Sequence, residues 1–102
     1  MKQKKANIKM AKPFFDKMLR DPEIKMHYEQ EKAKTHIAYV VRAARTRAGL
    51  TQEELAVKIK STQSVIARLE SGSDKRTPSL GLLARIASAC DAELELGFKF
   101  AS

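Results

Sequence analysis

The stretch from Gly49 to Gly72 sets two helix starts and two helix stops so close together that few folds can hold them. Gly49 ends a preceding helix as a left-handed cap, a backbone that glycine takes without a Cβ penalty. Thr51-Gln52-Glu53-Glu54 reads as a capping box, with the hydroxyl at the cap and a carboxylate three residues on. Leu55, Ala56 and Ile59 then give a single apolar face over about two turns. Ser61 or Thr62 caps the next helix, Val65, Ile66 and Leu69 face inward, and Gly72 closes it. Helices this short do not stand alone in water, so they must pack on others.

The flanks supply those others. From Thr35 to Ala48 an apolar face runs through Ile37, Val40, Val41, Ala44 and Ala48. Residues 73–78 form a polar loop, and Ser79 caps a further helix with Leu80, Leu83, Ile86, Ala87 and Cys90 inward. Upstream, Asp21-Pro22 is a cap followed by proline at the first helical position. Glu23 to Lys34 is helix-prone but mostly polar, with Ile24 and Tyr28 one turn apart, and it can continue into the next helix. Before it, Phe14, Phe15, Met18 and Leu19 fall on one side of a short helix. At the other end Ala92, Leu94, Leu96, Phe98 and Phe100 alternate with Glu93, Glu95, Gly97 and Lys99, a period of two that predicts a strand. The chain has no second strand to pair with it. Pairing across a two-fold axis with another copy solves this, through Leu94, Leu96 and Phe98; a frayed tail is the other reading.

A chain of 102 residues suits one domain, and with 6% aromatic residues and no Trp its core must be aliphatic. No apolar run approaches the ~18 residues of a membrane span, and no signal pattern opens the chain, so a cytoplasmic protein is expected. One Cys and two His exclude an internal disulfide and a clustered zinc site, and no metal or cofactor is expected. There is no Gly-rich phosphate loop and no Ser/His/Asp arrangement. His27 and His36 belong to exposed helix faces and Cys90 to the core, so an enzyme is not expected. The charge is +8, with a pI near 9.8, which points to a polyanion: nucleic acid before an anionic membrane. It is uneven: seven Lys/Arg against one Asp in residues 1–20, and eight against four in residues 42–76. Residues 1–12 lack periodicity and read as a Lys-rich arm, either merely solvated or binding phosphate.

Two short helices and a tight turn, within a helical bundle and beside a basic loop, describe a helix-turn-helix. The segment GLTQEELAVKIKSTQSVIARLESG, residues 49–72, resembles the phage-repressor and Cro-like (XRE) helix-turn-helix family, and the resemblance extends from about Val41 to Ala89. It implies Ala56 where the two helices cross, Ile66 and Leu69 under the recognition helix, and Leu80 and Leu83 in the closing helix. It also implies a structural pair between Arg45 and Glu70, which removes Arg45 from the DNA-contacting set. The turn position usually held by Gly is Lys60, where a left-handed backbone costs about 1 kcal/mol. The fold expected is all-α: a five-helix repressor-like bundle with an N-terminal helical extension and a short C-terminal β-strand used in dimerisation.

DNA contact follows from this placement. Thr62 caps the recognition helix, and Gln63 and Ser64 point away from its apolar side. A Gln can pair bidentately with adenine N6 and N7, and the matching position in some phage repressors carries a base-reading Gln. Arg68, a turn further on, can reach a guanine or a phosphate, and Ala67 a thymine methyl. Gln52 and Thr62 sit at helix starts, where backbone N–H groups and the helix dipole favour a phosphate. Lys75 and Arg76 occupy the loop where the resembling repressors carry basic phosphate contacts.

The whole chain, with LRDPEIKMHYEQEKAK ahead of the domain and ACDAELELGFKF behind it, resembles HigA-type antitoxins of type II toxin–antitoxin modules. That resemblance implies a partner, a RelE/HigB-like ribosome-dependent mRNA interferase, and repression of the chain's own operon. Residues 1–34 are then the candidate toxin-binding extension, 35–90 the DNA-binding domain and 91–102 the dimer contact. Phe14, Phe15, Met18 and Leu19 either fold back on the bundle or dock in a partner groove. Toxins of this kind are usually basic, so Glu23, Glu29 and Glu31 are the expected charged contacts rather than the Lys-rich arm. The partners expected are an inverted-repeat duplex, a small toxin and a second copy of the chain. A free-standing transcriptional repressor is the alternative, and an enzyme or RNA-binding factor that uses the basic arm is a third reading.

Overall fold

A computed structural model describes residues 11–100. The first ten residues of the expected basic arm lie outside that range. The described residues hold five helices: α1 (residues 11–18), α2 (Pro22–Arg47), α3 (Gln52–Lys58), α4 (Gln63–Ser71) and α5 (Leu80–Ala89). The described residues divide into two compact units, one up to residue 33 and one from residue 34, and α2 runs through the division as one continuous helix. Its polar first half carries no helix-ending signal, so it joins the helix that follows rather than breaking before it.

In the first unit, α1 ends in a turn closed by Leu19 N–H to Phe15 O (3.0 Å) and Asp21 N–H to Met18 O (3.1 Å). Asp21 then starts α2, its Oδ1 accepting from Glu23 N–H at 2.9 Å, with Pro22 as first helical residue. The Phe15 and Tyr28 rings meet edge to face, centroids 5.2 Å apart. Met18 and Leu19 are half-buried and Phe14 is exposed.

The second unit is built on an aliphatic core of Val41, Leu55, Ala56, Ile59, Ile66, Leu69, Ile86 and Cys90, with Ile37, Ala44, Leu50, Leu82, Leu83 and Ala89 packed against it. Leu55 and Ile66 are fully buried. The caps form where local chemistry places them: Thr51 before α3, Thr62 before α4, Ser79 before α5, and left-handed Gly72 after α4. Three helix ends close on the same motif. Leu50 N–H reaches Arg45 O (3.1 Å), Ser61 N–H reaches Ala56 O (2.8 Å) and Ala92 N–H reaches Ala87 O (2.8 Å). The residue before each donor is left-handed: Gly49 (φ 73°), Lys60 (φ 56°) and Asp91 (φ 53°). The turn between α3 and α4 is therefore kept intact with a lysine at its strained position.

Three expectations need correction. No strand occurs among the described residues: residues 92–100, Leu94, Leu96 and Phe98 included, have no regular secondary structure. Alternating side chains describe two faces, but a strand exists only when its backbone groups find a ladder partner, and this chain offers none. Leu80 is exposed rather than inward, because it is the first residue of α5 and projects beyond the core. Val40 and Ala48 of the expected apolar face are also exposed, and Ala38 with Val41 supplies the buried side of α2. Among the described residues no helix is long and apolar enough to cross a membrane.

Candidate nucleic-acid interface

The start of α4 is presented by what lies beneath it. Ile66 and Leu69 anchor one side in the core, so Gln63, Ser64 and Arg68 are left exposed on the other, with Ala67 half-buried between. Thr62 Oγ1 accepts from Val65 N–H at 3.3 Å and sets the first turn. α3 is fixed as firmly. Thr51 Oγ1 accepts from Glu54 N–H (3.1 Å) while Glu54 Oε1 accepts from Thr51 N–H (2.9 Å). The backbone hydrogen bond from Thr51 holds the Glu54 carboxyl below the usual carboxylate range.

A single chain of hydrogen bonds joins the two helices. Arg45 donates to Glu70 twice, Nε to Oε2 at 2.6 Å and Nη2 to Oε1 at 2.9 Å, and its Nη1 reaches Leu50 O at 2.8 Å. Gln52 Nε2 donates to Glu70 Oε1 (3.2 Å), and Gln63 Nε2 donates to Gln52 Oε1 (2.8 Å). The Glu70 side chain is only 4% exposed. Burial alone raises its pKa; hydrogen bonds from Arg45 and Gln52 and the charges of Arg45 and Arg42 outweigh this and hold it below the usual range. The hydrogen bond to Glu70 likewise raises the Arg45 pKa. Each of the three guanidinium nitrogens of Arg45 thus has a partner within the fold.

The direction of that chain has a chemical consequence. An ionised carboxylate only accepts, so Gln52 must turn its NH2 toward Glu70 and its oxygen toward Gln63. Gln63 then spends one N–H on Gln52 and keeps its oxygen and its second N–H. That remaining pair matches adenine, which offers N6–H and N7 in the major groove; guanine offers two acceptors there. Sequence reading singled out Gln52 and Gln63 separately, one for phosphate and one for a base, and missed that each fixes the other.

The loop after α4 is also organised. Asp74 Oδ1 accepts from Arg76 N–H (3.0 Å), and Ser71 and Ser73 hydroxyls lie 2.6 Å apart. Lys34 Nζ donates to Lys75 O at 3.3 Å. Lys34, Arg68 and Arg76 line one small crevice with Asp74. Lys34 was not among the expected residues; it lies in α2, 41 positions from its partner, and nothing local marks it. The remaining expected residues fall elsewhere. Phe14, Phe15, Met18, Leu19, Glu23, Glu29 and Glu31 all belong to the first unit, where the three glutamates are exposed. Cys90 lies in the core, and its burial pushes the thiol pKa up.

A capped pair of short helices, the second with an exposed polar start and a basic loop behind it, defines a DNA-binding module. The profile of the helix-turn-helix family matches residues 41–96, more than half of the chain, and the chain belongs to that family. By class it is a DNA-binding transcriptional regulator. Comparison with curated proteins and with solved structures returns no match in either set.

Proposed function

We propose that the chain is a sequence-specific repressor whose α4 enters the major groove, with Gln63 reading an adenine and Ser64, Ala67 and Arg68 contacting neighbouring bases or phosphate. The observation that carries this is the Arg45–Glu70–Gln52–Gln63 chain, which sets the amide of Gln63 in one orientation at the exposed helix start. Gln52, Thr62, Lys75 and Arg76 contact phosphates, and Lys34 positions their loop through Lys75 O. The repressor acts as a dimer, so its target is an inverted repeat with half-sites about 34–36 Å apart. Selection from a random duplex pool tests this. It should return such a repeat, and a pool without dyad symmetry counts against the dimer.

The same chain serves, in this proposal, as an antitoxin. Its first unit lies outside the family match and carries exposed Phe14 and Ile24 beside exposed Glu23, Glu29 and Glu31, the chemistry needed to cover a basic RNA-cleaving protein. Reversing the three glutamates to lysine in the full chain should abolish capture of a small basic ribonuclease from the native host and leave DNA binding in place. Capture unchanged by the reversal removes those contacts. The free-standing repressor remains a second reading, favoured by the Phe15–Tyr28 contact, which satisfies part of the apolar patch within the unit itself.

A further inference from the structure

We infer that a basic cleft at the ends of α2, α3 and α5 receives residues 93–98 of a second copy of the chain. The inference rests on the dimer proposed above and specifies how it is held. Two clefts open on the second unit. One, of about 510 Å³, has Arg47, Leu50 and Lys58 in its walls. The other, of about 450 Å³, has Lys58, Lys60 and Arg85. They share Lys58 and Ala89 and so form one continuous surface. Arg85 is held in place by a hydrogen bond from Nη1 to Ile59 O at 3.3 Å. Four cations thus border this surface against the single carboxylate of Asp91, and none of the four belongs to the candidate DNA interface.

The C-terminal segment carries the complementary chemistry. Asp91, Glu93 and Glu95 stand against one Lys99. Leu96 is 82% and Phe98 89% exposed, in a stretch with no regular structure. In an extended backbone the glutamates fall on one face and Leu94, Leu96 and Phe98 on the other. Such a ribbon satisfies the cations of the cleft with one face and its Leu50 and Ala89 walls with the other. Its own cleft does not hold it: the cleft is lined only as far as Ala92, and Glu93 onward is exposed. Exchange between two copies uses one ribbon and one cleft from each and closes on itself.

Sedimentation of the full chain without DNA tests this. Lys58→Glu and Glu95→Lys each reverse an exposed charge outside the core. Each variant alone should weaken dimerisation by about tenfold or more. Their equimolar mixture should recover it, because each acidic face then meets a basic one in the mixed dimer. Arg47→Glu in place of Lys58→Glu gives the same result. A dimer indifferent to the single reversals, or a mixture that fails to recover, overturns the cleft and leaves the dimer standing. A wild-type chain that stays monomeric overturns both.

Discussion

Lys60 sits at φ 56°, a backbone that glycine takes freely and lysine does not. Nothing within the turn compensates it, since its N–H makes the same bond to Val57 O that a glycine would make. Lys60→Gly is therefore expected to stabilise the chain by about 0.5–1 kcal/mol, measured as a raised urea midpoint at unchanged slope. A lowered midpoint would mean that the side chain holds something the backbone geometry does not reveal. Gln63 is the other residue with a sharp expectation. Its truncation to Ala removes the proposed bidentate pair with adenine and should cost about 1–3 kcal/mol on the preferred duplex. Both positions were legible in the sequence, Lys60 as a departure at a turn and Gln63 as the exposed start of a capped helix. The orientation of the Gln63 amide was not, because it depends on Gln52, 11 residues away.

At the scale of elements, Glu70 ties α4 to both α2 and α3. This carboxylate takes two bonds from Arg45 and one from Gln52 while almost wholly buried. Glu70→Ala leaves the Arg45 charge without its carboxylate, with only Leu50 O as acceptor, and should destabilise the fold by about 3 kcal/mol. Glu70→Gln should cost less and also loosen base preference, since an amide can present a donor to Gln52 and reverse the chain beyond it. Folding lowers the Glu70 pKa, so as pH falls the unfolded chain takes up this proton first. Its contribution is complete above the ordinary Glu value of about 4.3 and is lost as pH drops through the lower folded value. Acid titration of the wild type should show this loss and Glu70→Gln should lack it. Helix boundaries were readable because caps act over three or four residues. The C-terminal segment was misread for the converse reason: its alternation is local, but a strand requires a partner that the sequence cannot show. Lys34 escaped notice in the same way, its role residing in a loop far along the chain.

At the scale of the whole molecule, the cations of the second unit fall into two groups, apart from the seven Lys/Arg of residues 1–20. Arg68 lies in the last turn of α4 and Lys75 and Arg76 in the loop after it, while Arg47, Lys58, Lys60 and Arg85 border a separate cleft. Only the first group should set the salt dependence of DNA binding. Lys75→Ala is expected to weaken cognate and random duplex alike and to reduce the log–log salt slope by about 0.9. Lys58→Glu should leave the slope of a single half-site unchanged. Composition alone announced a polyanionic partner, but not this division, which depends on how the helices bring distant cations together.

The most direct test is the affinity of wild type and Gln63→Ala for three duplexes: the selected site, the same site with the proposed adenine replaced, and random sequence. Wild type should lose about 1–3 kcal/mol on the replaced site. Gln63→Ala should bind the selected and replaced sites equally and retain wild-type affinity for random DNA. Equal losses on all three duplexes would contradict base reading by Gln63 and reduce it to a general contact.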